Sequence, residues 1–585
     1  MKKHADTPKM IVGVASSPGI CRGRAFVIDK HDLERKITKD RFQGTEKELA
    51  RLAKAKGKAI NKIRQIIKRT NKSLGSEAAH IFRSQQTILE DSSTMAEIES
   101  LIQSEQIPAA YAVKKVFDSY LALFRELDDS DYNKARASDI EDVARRLTLI
   151  ILGLEETSFD DLEGDQIIIS EELFPSETAI LDPAKIKGFI TEKGGITSHV
   201  AILAKNMGIP AAVGVSGAVR GIANGQDVFL DTTSGSEASI YIEPDADTLK
   251  DLTSRLTMYQ KQREALKAVF NKPPVTLDGF KVQLSANIGS VREAELAISN
   301  GAKSVGLFRT EFLFLGKKRI PGEDEQYRAY RDVGRLFAPE MVLIRTLDVG
   351  GDKSIPALSI ANEANPFLGY RGLRVSLGKP EVLKSQLRAI FRANENGNLK
   401  IMYPMVSAVE ELKHVAEIRD SVVTELKRDG ERFDASMEIG IMIELPSTLL
   451  VLEDLLQYVD FFSIGTNDLT QYLYGTDRLN ETVSEYYKVF GPALLRAIAK
   501  IVETTHQSGK WVGICGELAG MPDILPFLIG LGIDELSMSA GQLGEAISKI
   551  RSLSKQELSK TLVPRILSCK TESEVLNCLS TLKKV

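Results

Sequence analysis

Residues 461–471 read Phe461-Phe462-Ser463-Ile464-Gly465-Thr466-Asn467-Asp468-Leu469-Thr470-Gln471. The first four residues suit a strand, a glycine ends the run, and an amide and a carboxylate follow at once. Seven more runs of this kind occur in the same half of the chain, at 282–286, 304–308, 341–344, 400–403, 438–443, 511–514 and 535–538, each separated from the next by helical periodicity. Eight alternating units over about 265 residues predict a (β/α)₈ TIM barrel. Arg309, Arg345, Glu444, Asn467, Asp468 and Cys515 all stand just beyond the last apolar residue of their runs. Such a barrel gathers its site at those strand ends. The general polarity of strand ends accounts for one or two such residues and poorly for six of complementary chemistry.

In Leu307-Phe308-Arg309-Thr310-Glu311 and Ile344-Arg345-Thr346-Leu347-Asp348, two arginines end neighbouring runs. Their planar forks can grip a phosphate or carboxylate from two sides, although either alone also suits a structural ion pair. Glu444, in Ile441-Met442-Ile443-Glu444-Leu445-Pro446, and Asp468 are carboxylates on adjacent strand ends. Two hard oxygen ligands suit Mg²⁺, which keeps waters and completes its shell from a phosphorylated substrate. Arg478, ten residues beyond Asp468, offers another anion contact from the loop. Cys515, in Val512-Gly513-Ile514-Cys515-Gly516-Glu517, reads either as a small buried hydrophobe or, beside cations at a barrel rim, as a proton donor.

The first half of the chain holds a second signal, Gly194-Gly195-Ile196-Thr197-Ser198-His199-Val200-Ala201-Ile202-Leu203-Ala204-Lys205. Here a glycine-led turn runs into a helix that opens on a histidine. Unpaired N–H groups and the positive end of the dipole favour negative charge at such a start, so His199 can carry a phosphate. The competing reading is that Ser198 caps a buried helix and His199 only occupies its first turn.

At 585 residues the chain is too long for one core. Strand-like runs at 10–29, 166–169, 186–190, 227–230 and 239–242 predict a β/α domain made of residues 1–30 and 154–245. Between them, helical periods at 46–70, 76–90, 93–104, 109–126 and 137–152 predict an inserted all-helical domain, 31–153. A charged helical period stopped by Lys272-Pro273-Pro274 predicts a linker and hinge at 246–274, with the barrel filling 275–585. A net charge of −4 with interspersed signs gives no basic face for nucleic acid or membrane. No run approaches the ~20 apolar residues of a spanning helix, and the opening Met1-Lys2-Lys3-His4-Ala5 leads to no signal-peptide core, so a cytoplasmic protein is expected. Four scattered cysteines read as free thiols of a reducing compartment.

The motifs GGITSHVAI around His199, FRTEFLF from Phe308, NPFLGYRGLR from Asn365, IMIELP from Ile441, FFSIGTNDLTQY from Phe461 and GICGELAG from Gly513 resemble, nearly end to end, enzyme I of the bacterial phosphoenolpyruvate:sugar phosphotransferase system. The resemblance implies that His199 is phosphorylated, with Thr178 hydrogen-bonded to it. It implies that Arg309, Arg345, Arg478 and Asn467 hold phosphoenolpyruvate, with Arg371 and Lys353 as further charged residues of that pocket. Glu444 and Asp468 match its Mg²⁺ ligands and Cys515 its proton donor. The family's helical insert binds the histidine-containing carrier HPr, its first domain swivels, and its barrel domain makes it a homodimer. The expected activity is therefore a phosphotransferase that moves the phosphoryl group from phosphoenolpyruvate through His199 to HPr, the first step of sugar phosphotransfer.

Three departures surround His199: Ile196 where the family has Arg or Lys, Val200 for Thr or Ser, and Lys205 for Arg. In the insert, Ile81-Phe82-Arg83-Ser84-Gln85 replaces a run with an acidic residue and a histidine, which suggests a retuned carrier surface. Pyruvate phosphate dikinase and phosphoenolpyruvate synthase share the histidine domain and barrel. Those enzymes, however, place a nucleotide-binding domain of several hundred residues first, and about thirty residues precede the helical stretch here. A catalytically silent carrier-binding regulator is disfavoured by the presence of His199, Glu444, Asp468 and Cys515 together.

Overall fold

The structure, a computed structural model, describes residues 10–28, 31–73, 75–126, 131–154, 162, 164–173, 175–178, 181–182, 185–195, 198–314, 317, 319–351, 355–358, 360, 363–478 and 480–581. The chain divides into two compact units, Met1–Lys261 and Gln262–Val585.

In the first unit, seven strands close into a mixed barrel: β1 (Met10–Ser17), β2 (Ile20–Ile28), β3 (Gln166–Ser170), β4 (Ile186–Thr191), β5 (Ala211–Val213), β6 (Asp227–Asp231) and β7 (Glu237–Ile242), in the order β1-β5-β4-β3-β2-β6-β7. Strands β2 to β5 pair in parallel, and antiparallel β1, β6 and β7 complete the ring. Closure leaves no free sheet edge. Inside, Ile167, Ile169, Ile190, Leu230 and Ile240 are fully buried.

Six helices fall between β2 and β3: α1 (His31–Lys39), α2 (Thr45–Ser73), α3 (Gly75–Glu90), α4 (Ser92–Glu105), α5 (Ala109–Glu126) and α6 (Asp131–Ile151). Their apolar faces meet in a core of their own, with Ile63, Leu89, Ile98, Val113 and Leu147 fully buried. Glu48 is also fully buried, because its carboxylate accepts from Ala109 N at the start of α5 (2.9 Å), from Gln43 N (3.1 Å) and from Arg51. One carboxylate thus ties a helix N-terminus to α2 and neutralises itself on a guanidinium. Asp91 caps α4 by accepting from Ser93 N and Thr94 N.

After β3 come α7 (Pro175–Thr178), α8 (His199–Met207), α9 (Ala218–Gly221) and, past β7, α10 (Ala246–Val269). The early part of α10 belongs to the first unit, where Leu252 is buried and Arg255 pairs with buried Asp231. Its end belongs to the second, where Phe270 follows it and fills the space left by Gly301 and Gly544.

The second unit is an eight-stranded barrel, with β8 (Gln283–Ile288), β9 (Val305–Arg309), β10 (Val342–Arg345), β11 (Leu399–Tyr403), β12 (Ile439–Ile443), β13 (Phe461–Ile464), β14 (Trp511–Ile514) and β15 (Glu535–Met538) pairing in parallel around a closed ring. Each expected run becomes one strand, displaced by two residues at most. Helices cover the outside over a continuous apolar core. Among the described residues no helix is long and apolar enough to cross a membrane.

Candidate functional site at the barrel rim

Parallel pairing aligns the strand ends. Arg309 ends β9 and Arg345 ends β10, and the two are direct register partners. Their surroundings differ. Arg345 is 5% exposed; its Nη2 reaches Glu311 Oε1 at 2.6 Å and Asp348 Oδ2 at 3.1 Å, and its Nη1 lies 3.9 Å from Glu444 Oε1. Arg345 Nε is buried with no hydrogen-bond partner among the described residues. Arg309 is exposed and makes no ion pair among the described residues. A held arginine therefore stands beside one with no ion pair among the described residues, an arrangement able to take an anion without both guanidiniums first leaving other partners.

Glu444 and Gly465 follow paired residues of β12 and β13. A side chain at 465 would collide with the Glu444 stem, so glycine makes room for the carboxylate. Glu444 Oε2 accepts from Met405 N at 2.8 Å, and Met405 has the left-handed φ of 56°. That strained conformation aims the amide at the carboxylate. Gly372, also left-handed at φ 59°, lets the chain pass Met405 where a Cβ would clash.

Asp468 lies in the first turn of the helix Thr466–Tyr474 and is gripped twice by Arg371, Nη1 to Oδ1 at 2.9 Å and Nη2 to Oδ2 at 3.1 Å. Arg371 also reaches Asp348 with Nε and Nη2, both at 3.2 Å. Its guanidinium thus serves the carboxylates. Arg478 Nη1 lies 3.9 Å from Asp468 Oδ1, with the side chain partly exposed. Asn467 Oδ1 accepts from Glu517 N at 3.1 Å. Cys515 is buried, and its thiol points to Ile464 O at 3.7 Å. Lys353 lies outside the described residues.

Four carboxylates, Glu311, Asp348, Glu444 and Asp468, are buried here with two buried guanidiniums, Arg345 and Arg371. The imbalance shows in their acidity. Burial, then the charges of Asp468 and Asp348, push the Glu444 carboxyl well above the usual range. Burial would raise Asp468 as well, but the charge and hydrogen bonds of Arg371 outweigh it and hold Asp468 low. Burial works against charge on both arginines, and adjoining carboxylates overcome it, so both stay protonated. The surplus of carboxylates over guanidiniums around Glu444 and Asp468 fits a divalent cation, which would favour the ionised form of Glu444, and two carboxylates leave most of its shell to water and substrate. Burial pushes the Cys515 thiol up to about 12, so it holds its proton.

In the first unit, α8 begins at His199 and is capped by Ser198, whose Oγ accepts from Ala201 N at 3.4 Å. Gly194, at φ +99°, packs close under Ser198, where a Cβ would crowd the capping side chain. Val200 and Ala204 are buried against Phe189 and Ala211, fixing the helix on the sheet. The His199 side chain lies outside the described residues, as do Ile196 and Thr197. Thr178 ends α7 and is buried; its neighbour Glu177 pairs with Arg145 of α6 at 2.8 Å. Within the insert, Phe82 and Gln85 point inward, Gln85 Nε2 donating to Asp142 Oδ2 at 2.9 Å, and Arg83 is exposed.

Sequence reasoning quoted Glu311 and Asp348 without giving them a role, and it missed Met405. The first two follow Arg309 and Arg345 by two and three residues, so their place after strand ends was a usable signal. Nothing local marks Met405.

Three family models match the chain in order. Residues 12–136 match the PEP-utilising enzyme, N-terminal model, 162–235 the PEP-utilising enzyme, mobile domain, and 263–557 the PEP-utilising enzyme, PEP-binding domain. The phosphoenolpyruvate-protein phosphotransferase of Bacillus subtilis is 39% identical over 96% of this chain and 98% of its own length. Those of Haemophilus influenzae and Mycoplasma capricolum are 37% and 39% identical, each over 97% of this chain and 98% of theirs. Because the likeness runs through the capped helix at His199 and the barrel rim alike, the chain belongs to the phosphoenolpyruvate-protein phosphotransferase family.

Proposed function

We propose that this protein takes the phosphoryl group of phosphoenolpyruvate onto His199, releasing pyruvate, and passes it to the histidine of HPr. The observation that carries the reading is the register pair of exposed Arg309 and held Arg345 beside Glu444 and Asp468 at the C-terminal ends of the strands. Phosphoenolpyruvate presents a phosphate and a carboxylate, and the two guanidiniums, with Asn467 just past β13 and Arg478 in the loop beyond it, offer planar donors to both. Arg371 keeps Asp468 ionised and in place. Glu444 and Asp468 would hold Mg²⁺, which when bound offsets the phosphate charge. The neutral imidazole of His199 attacks phosphorus in line, so a P–N bond forms as the P–O bond breaks. Enolpyruvate leaves, and the Cys515 thiol supplies the proton that its carbon takes up. The phosphorylated nitrogen stays reactive enough to pass the group on.

In this scheme residues 1–30 and 154–245 form the swivelling domain, and 31–153 dock HPr. Residues 246–274 supply the hinge, and 275–585 bind phosphoenolpyruvate and pair two copies in the cytoplasm. Residues ahead of Lys261 carry His199 and those after it carry the arginines, so the two half-reactions are separable. The test is incubation of the pure protein with phosphoenolpyruvate isotopically labelled in its phosphate, with Mg²⁺, followed by mapping of the acid-labile label. Label on His199 that chases to HPr is the expected result; label elsewhere, or none, rejects the reading.

A further inference from the structure

The barrel interior holds one carboxyl for which the scheme above has no use. Glu535 opens β15 and is 1% exposed. Room for it is made by glycines on two other strands: a side chain at Gly306 of β9 or Gly513 of β14 would overlap a Glu535 carboxyl oxygen. Neither oxygen has a hydrogen-bond partner among the described residues. Burial raises its pKa to about 8 and outweighs the opposing pull of the Ser285 hydroxyl, so near neutrality it is largely a carboxylic acid. An apolar side chain would fill the slot at lower cost, so a stored proton is the property that the acid adds.

The slot lies under Cys515. Gly513 precedes Cys515 by two residues on one strand, and residues two apart share a face. Gly513 is also the register partner of both Ser463 and Glu535. Across Gly513 from Glu535, the Ser463 hydroxyl is likewise buried with no hydrogen-bond partner among the described residues, so two unpaired polar groups flank the glycine beneath the thiol. The strand end is held as well: Asn287 Nδ2 donates to Cys515 O at 3.3 Å, and Asn287 Oδ1 accepts from Ser537 Oγ at 2.6 Å. A thiolate left there after proton donation is a strong base enclosed by apolar side chains, with one acid in the layer below.

We propose that Glu535 is the proton reserve of Cys515. Once the S–H bond has broken and a C–H bond has formed on enolpyruvate, Ser463 gives its proton to the thiolate and takes the proton of Glu535. The S–H bond is restored, and the Glu535 carboxylate recovers the net proton from bulk solvent, relayed by water entering the emptied site, so that one solvent proton is consumed for each C–H bond formed. The proposal rests on the reading of Cys515 as proton donor.

Quenched-flow measurement of pyruvate from the full-length enzyme, with excess phosphoenolpyruvate, Mg²⁺ and HPr, separates the two ideas. Glu535→Gln keeps the shape and removes the acid. It is expected to form the first equivalent of pyruvate at the wild-type rate and every later one at least 10-fold more slowly. Glu535→Asp keeps an acid and should recover part of the later rate, which a merely structural role would not predict. Later turnovers at the wild-type rate in Glu535→Gln overturn the proposal, and so does loss of its first turnover. Should Glu535→Gln fail to fold, Glu535→Leu, which fills the slot without an acid, is held to the same expected and overturning outcomes. In Cys515→Ala the fast first turnover should vanish; if it persists, the reading of Cys515 fails and the reserve with it. If it vanishes while Glu535→Gln turns over normally, only the reserve falls.

Discussion

Arg371 and Asp468 meet as a double fork, Nη1 to Oδ1 at 2.9 Å and Nη2 to Oδ2 at 3.1 Å, although 97 residues separate them. The same guanidinium spans Asp348, so one buried cation holds two carboxylates. Arg371→Met should therefore strip Asp468 of its fork and leave Asp348 to Arg345 alone. Loss of one partner of a buried pair costs about 3–5 kcal/mol. A lowered denaturation midpoint of the barrel, together with loss of phosphoenolpyruvate-dependent phosphorylation, is the expected outcome; an unchanged midpoint would refute this account of Arg371.

Arg309 should behave in the opposite way. It is exposed and without an ion pair among the described residues, so Arg309→Ala should leave stability within about 0.5 kcal/mol of wild type. Phosphorylation from phosphoenolpyruvate should fall by about 10²–10³, the usual loss on removing one charge-stabilising donor. Calorimetry on the variant and a rate measurement check the two halves separately.

His199→Ala should abolish the acid-labile label and leave phosphoenolpyruvate binding within about threefold, because the donor contacts belong to the other unit. Stoichiometric labelling of the variant would show that another residue is the acceptor.

The acidity of Glu535 carries a pH dependence of stability. A carboxyl whose native pKa lies above its ordinary 4.5, here at about 8, is protonated in the native state and ionised in the unfolded one between those values. Its contribution is full below about 4.5 and is lost as pH rises through about 8, at a limiting slope of about 1.4 kcal/mol per pH unit. Glu535→Gln should remove that slope. Barrel unfolding by urea at pH 5.5 and 7.5 should thus show the variant gaining on wild type at the higher pH, and parallel curves would place an ionised carboxylate in the core.

Residues 1–261 close two cores of their own, in the helices and in the seven-stranded barrel. Expressed alone, they should fold and exchange phosphate reversibly between phosphorylated HPr and His199. They should take nothing from phosphoenolpyruvate with Mg²⁺, because the rim arginines and carboxylates are missing. Label appearing from phosphoenolpyruvate alone would overturn the two-site scheme.

The sequence alone determined what depends on neighbours along the chain. Apolar runs at regular spacing made eight strands, and parallel closure put the residue after each run on one rim, so Arg309, Arg345, Glu444, Asp468 and Cys515 were legible in advance. Ser198 and Gly194 marked the start of α8 for the same local reason, a capping hydroxyl and a backbone that needs positive φ. Tertiary structure alone decided which charges meet. Arg371 sits in a loop and could have faced solvent; only closure of the barrel brings it to Asp348 and Asp468 and commits it to them. The small run 211–213 became a strand because β1 and β4 offered it partners on both sides, and this closed the first sheet into a ring. Glu535 opened a run expected as a strand, yet its burial without a partner among the described residues depends on glycines of two other strands. Side-chain pairing across a closed barrel is a matter of register between distant segments, and a linear pattern of polarity does not carry it.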